Sequence, residues 1–96
     1  MRKDIKVEKR IHEGYKEFEK CKEKGLKIRQ MLGKYQYIYS SNKGEISLIY
    51  LPNYFPNQSF WEIYSLKGNL FKDVERFDTK KEAEKRIEKL LTPQNI

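Results

Sequence analysis

The stretch from Tyr35 to Leu51 reads YQYIYSSNKGEISLIYL, and this stretch decides the fold of the chain. Large apolar and polar residues alternate up to Ser40, which is the period of a strand with one buried face. The next four residues, SNKG (41–44), predict a turn, with Gly44 at the position where a tight hairpin turn needs a left-handed conformation. A second run rich in β-forming residues follows from Glu45. The sequence therefore predicts an antiparallel hairpin.

Two further strands are predicted downstream of this hairpin. The segment 52–58 (PNYFPNQ) is expected to be a loop, because proline cannot donate to a strand ladder. Phe60–Leu66 (FWEIYSL) then predicts a third strand, residues 67–69 (KGN) a tight turn, and Leu70–Phe77 a fourth strand. Residues 34–78 would thus form a four-stranded antiparallel meander.

A capped amphipathic helix is predicted over residues 79–92. Thr79 is a favourable N-cap residue, and Glu82 three positions later completes a capping box. Apolar residues recur at helical spacing after it, so the helix should pack on the sheet and make an α+β fold. The expected core consists of Trp61, Ile63, Phe77, Ala83, Ile87 and Leu90.

The N-terminal segment, residues 1–33, is predicted to be helical, from about Lys3 to Leu32. Its spacing follows a heptad-like rhythm, with Gly33 as a C-terminal stop. One alternative is that Gly25 ends a first helix and a second helix runs over residues 26–32. The seam positions are Val7, Ile11, Gly14, Phe18, Cys21, Gly25, Ile28 and Leu32.

This seam leaves two arrangements open. The N-terminal helix either covers the second face of the sheet in a compact monomer, or pairs with its copy in a homodimer. Small residues such as Gly14 and Cys21 would permit close approach of two helices.

Length and composition favour one small basic domain that spans residues 1–96. Lys and Arg number 21 and Asp and Glu 14, a net charge of +7. Such a balance favours anionic partners, although lysine-rich proteins of AT-rich genomes often bind no nucleic acid. A single cysteine, Cys21, excludes an internal disulfide. Without an apolar leader or spanning run, a cytoplasmic location and no membrane partner are expected.

Residues for catalysis or metal binding are scarce. His12 is the only histidine, and a zinc site needs more nitrogen or sulfur ligands than the chain offers. Asp73, Glu75 and Asp78 are expected to face solvent. We therefore expect no catalytic residues, no metal and no cofactor, with a small basic ribonuclease as a less favoured alternative.

The tyrosines and the N-terminal basic residues form the predicted binding site. Tyr35, Tyr37 and Tyr39 share one face of a strand, and Tyr50 and Tyr64 are their expected neighbours. An aromatic sheet face beside basic side chains can stack exposed bases. Two other hypotheses are simple burial of the rings and anchoring of a protein partner. The candidate residues are Lys9, Arg10, Lys16, Lys20, Tyr35, Tyr37, Tyr39 and Tyr50.

The segment from Trp61 to Ile87 resembles the AP2-like DNA-binding domains found at the N-terminus of mobile-element recombinases. The resemblance implies a three-stranded sheet that is backed by a helix and lies in the DNA major groove. The family's strand is usually basic, whereas here Asp73 and Glu75 precede the helix. The matching residues are Trp61, Gly68, Phe77, Thr79, Lys80, Lys81, Glu82, Ala83 and Glu84.

Two functions therefore fit the sequence. The first is a nucleic-acid-binding accessory protein of phage or plasmid type, whose helical Lys and Arg residues contact phosphates. The second is a regulator that inhibits a host protein, such as an anti-CRISPR-like anti-defence protein. In the second case the partner would be a nucleic-acid-handling protein.

Overall fold

The computed structural model describes residues 4–25, 33–55 and 58–92. These ranges contain five strands and two helices, and the strands form one antiparallel sheet in the order β1-β2-β3-β4-β5. The α+β class, the antiparallel sheet and the C-terminal helix are confirmed. The elements are β1 (Lys6–Ile11), α1 (Glu13–Glu23), β2 (Tyr35–Ser41), β3 (Gly44–Phe55), β4 (Gln58–Lys67), β5 (Glu75–Phe77) and α2 (Lys80–Leu91).

The predicted long N-terminal helix is wrong in its first part, which is the strand β1. This strand pairs with β2 along its whole length, from Lys6 opposite Ser40 to Ile11 opposite Tyr35. Val7 and Ile11 are four residues apart, and that spacing places two side chains together both on a helix and on a strand. The spacing of these residues therefore does not distinguish a helix from a strand. Hydrogen-bonded pairing with β2 stabilises the strand.

Helix α1 is short and ends before Gly25. Gly25 has φ +75°, a left-handed conformation that favours glycine and stops a helix. The structure thus agrees with the alternative in which Gly25 ends a first helix, while the second helix of that alternative, over residues 26–32, lies outside the described residues. Because β1 and α1 are different elements, a continuous helical seam from Val7 onward does not form.

The β2–β3 hairpin is confirmed, but the strands after it have other bounds than predicted. Strand β3 continues through Pro52 to Phe55, and β4 already begins at Gln58. The register shifts between Leu51 and Phe55, and an irregular position of this kind tolerates a residue without an N–H. The predicted fourth strand shrinks to β5, although Leu70 and Phe71 still pack against the core.

Helix α2 covers part of one sheet face and seals the core there. Its cap is formed as predicted, since Thr79 Oγ1 accepts a hydrogen bond of 3.2 Å from the Glu82 amide. Ile63, Ala83 and Ile87 are buried as expected, whereas Trp61, Phe77 and Leu90 are only half-buried. The buried cluster comprises Ile5, Tyr39, Ile46, Leu48, Ile63, Ala83, Ile87 and Leu91.

Three polar contacts help to hold α2 on the sheet, and one of them, from the Tyr39 hydroxyl to Glu84, is described with the site below. Arg86 donates twice to the Glu75 carboxylate of β5, at 3.0 and 3.3 Å. Near the other end of the helix, Ser41 Oγ donates to the Leu91 carbonyl at 2.7 Å. These contacts determine which part of the sheet face α2 covers and which part it leaves open.

Candidate nucleic-acid interface

Strand pairing places most of the predicted tyrosines on the sheet face that carries α2. Tyr37 lies opposite Leu48, and Tyr50 lies opposite Trp61. In an antiparallel sheet, residues directly opposite each other point to the same face. The alternation of β2 adds Tyr35 to this face, as the sequence predicted.

Tyr39 belongs to the core rather than to the interface. Only 1% of it is exposed, and its hydroxyl donates to Glu84 Oε2 of α2 at 3.1 Å. Burial, with the Glu84 charge, raises the pKa of Tyr39 far above the ordinary value, so the hydroxyl stays protonated. This predicted site residue cannot reach a ligand, because α2 covers it.

Beyond the N-terminus of α2, lysine ammonium groups lie over the tyrosine rings. Lys9 Nζ is 4.0 Å from the centroid of the Tyr35 ring and 6.0 Å from that of Tyr37. Lys34 Nζ lies 5.6 Å from the Tyr35 centroid. These are cation–π distances, each contact being worth about 0.5–1 kcal/mol at an exposed site.

Lys80 joins these rings to the aromatic pair on β3 and β4. Its Nζ is 4.4 Å from the Tyr37 centroid and 5.9 Å from Trp61. The Tyr50 and Trp61 rings stack with centroids 4.6 Å apart and planes tilted by 36°. We call this continuous set the aromatic–lysine strip; it consists of Lys9, Lys34, Tyr35, Tyr37, Tyr50, Trp61 and Lys80.

Local structure holds both ends of the strip. Lys80 is the first residue of α2, so the Thr79 cap also fixes its position. At the other end, the His12 amide donates to the Lys34 carbonyl at 2.7 Å and extends the β1–β2 ladder past Ile11. Tyr35 is 36% exposed, and Lys9 and Lys34 are exposed as well, so this end of the strip is open to solvent.

The other predicted basic residues lie outside the strip and have acidic partners. Arg10 points to the opposite sheet face from Lys9 and contacts Glu8 at 2.7 Å. That hydrogen bond lowers the pKa of Glu8, which therefore stays ionised. On α1, an acidic residue three positions earlier pairs with each lysine: Lys16 with Glu13 at 3.4 Å, and Lys20 with Glu17 at 3.5 Å.

The strip lysines differ in this respect. Within residues 4–25, 33–55 and 58–92, no carboxylate lies at ion-pair distance from Lys9, Lys34 or Lys80. Their charges face aromatic rings and solvent instead, which leaves the strip with uncompensated positive charge.

Tyr64, an expected neighbour of the other tyrosines, lies on the opposite sheet face. Its hydroxyl accepts a hydrogen bond from Gln36 Nε2 at 2.8 Å, and the same nitrogen donates to Ser47 Oγ at 2.6 Å. Ser47 is fully buried, so this small polar network belongs to the interior of that face.

Three members of the strip were not predicted as site residues. Trp61 was assigned to the core, Lys80 appeared only among the residues of the AP2-like resemblance, and Lys34 was given no role. The pairing of Tyr50 with Trp61 depends on the register between β3 and β4, for which the sequence carries no local signal. Contact between Lys80 and Tyr37 depends on where α2 lies on the sheet, for which the sequence carries no local signal.

Sites of other kinds are not evident in the described part of the chain. His12 Nδ1 is buried there without a hydrogen-bond partner, and burial lowers the pKa of the imidazole. Among the described residues, no cluster of three or more His, Cys, Asp or Glu could hold a metal ion. No helix in the described ranges is sufficiently long and apolar to span a membrane.

No protein-family model, curated protein or solved structure matches this chain. The resemblance of Trp61–Ile87 to AP2-like domains therefore stays a prediction. The function must be inferred from the geometry of the strip.

Proposed function

We propose that this protein binds single-stranded nucleic acid through the aromatic–lysine strip. The observation that supports the proposal is the alternation of four aromatic rings with three lysines that lack carboxylate partners among the described residues. Bases can stack on such rings at about 1–3 kcal/mol per base, and ammonium groups can follow the phosphates. A lysine loses only about 0.5–1 kcal/mol of cation–π attraction when it leaves a ring for a phosphate.

The arrangement favours a single strand over a duplex. Rings that lie on a sheet face need unstacked bases, which a duplex does not offer. Docking of the opposite face in a major groove, as the AP2-like resemblance implies, has less support. On that face Arg10 is paired with Glu8, and Arg76 with Glu62 at 3.0 Å, so its charges largely cancel.

We infer a binding role rather than catalysis. The strip contains lysines, tyrosines and one tryptophan, with no carboxylate or imidazole to act as a general base. In a mobile-element setting, such a protein would act as a nucleic-acid-binding accessory.

The test compares two triple variants with the same change in charge. Lys9, Lys34 and Lys80 are replaced by Gln in the first variant, and the exposed α1 residues Lys16, Lys20 and Lys22 in the second. Fluorescence anisotropy then measures binding of a thymidine homopolymer, a uridine homopolymer and a duplex over a series of salt concentrations. Far-UV circular dichroism checks that both variants remain folded.

Wild-type protein should bind the homopolymers more tightly than the duplex, with affinity that falls as salt rises. Each neutralised phosphate contributes about 0.7 to the slope of log K against log salt for single strands, so the strip variant should lose about 2. The second variant should keep most of the slope. Equal losses in both variants, or no binding at low salt, would overturn the proposal and leave a protein partner as the remaining hypothesis.

A further inference from the structure

Strand β1 is an edge of the sheet in the described part of the chain. It pairs with β2 on one side, and among the described strands it has no neighbour on the other. All six of its side chains are exposed. An exposed edge of this kind is a template for pairing with a further strand unless it is protected.

The backbone of β1 offers hydrogen bonds on its outer side at every second residue. The His12 amide donates to the Lys34 carbonyl within the β1–β2 ladder. Because hydrogen bonding alternates along an antiparallel strand, Arg10, Glu8 and Lys6 also bond toward β2. The amides and carbonyls of the residues between them, Val7, Lys9 and Ile11, therefore point away from the sheet.

The exposed side chains of β1 are complementary to a copy of themselves. Val7 and Ile11 are 48% and 49% exposed and lie on the same face of the strand, on either side of Lys9. On the other face of the strand, Glu8 and Arg10 carry opposite charges. When the strand is reversed about Lys9, Val7 meets Ile11 and Glu8 meets Arg10.

We propose that β1 pairs antiparallel with β1 of a second copy of this chain, about a two-fold axis through Lys9. The interface then contains two Val7–Ile11 contacts and two Glu8–Arg10 ion pairs, one of each on either side of the axis. The Lys9 register and both adjacent registers each place two like charges opposite each other at the axis, but only the Lys9 register also forms the Val7–Ile11 and Glu8–Arg10 pairs. With the axis at Glu8 two carboxylates would be directly opposite each other, and with the axis at Arg10 two guanidinium groups.

This dimer joins two strips into one surface, a consequence that rests on the proposed function. The two-fold axis is perpendicular to the sheet, so both strips lie on the same side of a continuous sheet. The two Lys9 side chains meet at the axis and repel each other, which weakens the free dimer. A phosphate bound between them removes this repulsion, so nucleic acid strengthens the dimer.

The test is a charge exchange without nucleic acid, so it does not depend on the proposed function. Sedimentation equilibrium is measured for wild type, for Glu8→Arg, for Arg10→Glu and for an equimolar mixture of the two variants. The wild type should reach twice the 11.7 kDa chain mass with increasing concentration. Each variant alone places like charges in both pairs, and its dimerisation should weaken at least tenfold.

The mixture is the decisive arm. In a mixed dimer, position 8 of each variant faces an oppositely charged side chain at position 10 of the other, so association should return toward the wild-type value. A wild type that stays monomeric at high concentration would overturn the proposal, as would variants that dimerise like wild type. A mixture no stronger than its components would overturn it too, provided circular dichroism shows that both variants are folded. If the wild type self-associates as expected but does not bind a homopolymer at low salt, that result would count against the proposed function alone.

Discussion

The sheet face that carries α2 has two halves. Alternating tyrosines of β2 lie in both halves, but α2 covers only one of them. Tyr37 and Tyr39 are two residues apart on β2 and point to the same side. Tyr39 lies under α2 and is almost fully buried, whereas Tyr37 lies at the start of the helix beneath the Lys80 ammonium group. The position of α2, whose first residue is Lys80, thus divides a covered half that stabilises the fold from an open half that carries the aromatic–lysine strip.

The largest expected difference between the halves is in stability. Ile63→Ala removes a fully buried side chain beneath α2 and should lower the free energy of unfolding by about 2–5 kcal/mol. Tyr35→Ala in the open half should cost about 1–2 kcal/mol, since it loses two cation–π contacts of about 0.5–1 kcal/mol each. Urea denaturation of both variants measures the difference. Equal losses would show that the open half is also structural.

A second substitution should affect both halves. Thr79→Ala removes the side-chain acceptor for the Glu82 amide and should cost about 0.5–2 kcal/mol. Because the cap also positions Lys80, binding of a homopolymer should weaken as well. His12→Ala is the matched control, since the N-cap residue of α1 makes no side-chain capping bond. A Thr79→Ala protein that loses stability but binds like wild type would show that the cap does not position Lys80 for binding.

A third comparison uses the two neighbouring tyrosines directly. Tyr39→Phe removes the hydrogen bond to Glu84 and should cost about 1 kcal/mol. Tyr37→Phe keeps the ring that Lys80 contacts and should leave both stability and binding unchanged. Thermal denaturation and anisotropy measure the two properties. A loss of binding in Tyr37→Phe would mean that its hydroxyl, rather than its ring, contacts the ligand.

The smallest effect concerns pH and the outer end of the strip, where His12 continues the β1–β2 ladder. Burial lowers the pKa of His12 below its ordinary value of 6.5 in the folded state. The unfolded chain therefore takes up a proton that the folded chain resists, and stability falls as the pH drops below about 6.5. His12→Gln should flatten this part of the pH profile in urea denaturation. If the variant has the same pH dependence of stability as the wild type, groups other than His12 cause that dependence.

The elements that the sequence predicted well are those with local signals. The α2 cap and stripe and the β2–β3 turn are encoded within a few residues, so Thr79, Ala83 and Ile87 were placed correctly. Strand β1 was missed because Val7 and Ile11 fit either period, and only pairing with β2 resolves the ambiguity.

The site was predicted in part for a similar reason. Alternation gave Tyr35 and Tyr37, but the contacts of Lys80 and Trp61 depend on long-range packing. The ion pairs of Lys16 and Lys20 could be predicted from the sequence alone, because each lysine follows a glutamate by three positions and such pairs form on a helix. The place of these two lysines in a binding site stays a prediction.

The central claim, that the open half of the sheet face is the binding site, can be tested through Trp61, the single tryptophan of the chain. Its ring lies in the strip beside Tyr50, so a base stacked there should change its emission. The account predicts saturable quenching of tryptophan fluorescence by a thymidine homopolymer at low salt. Quenching should be strongly weakened when Lys9, Lys34 and Lys80 are replaced by Gln, and preserved when Lys16, Lys20 and Lys22 are replaced. Binding that is detected by anisotropy but leaves Trp61 emission unchanged would contradict it.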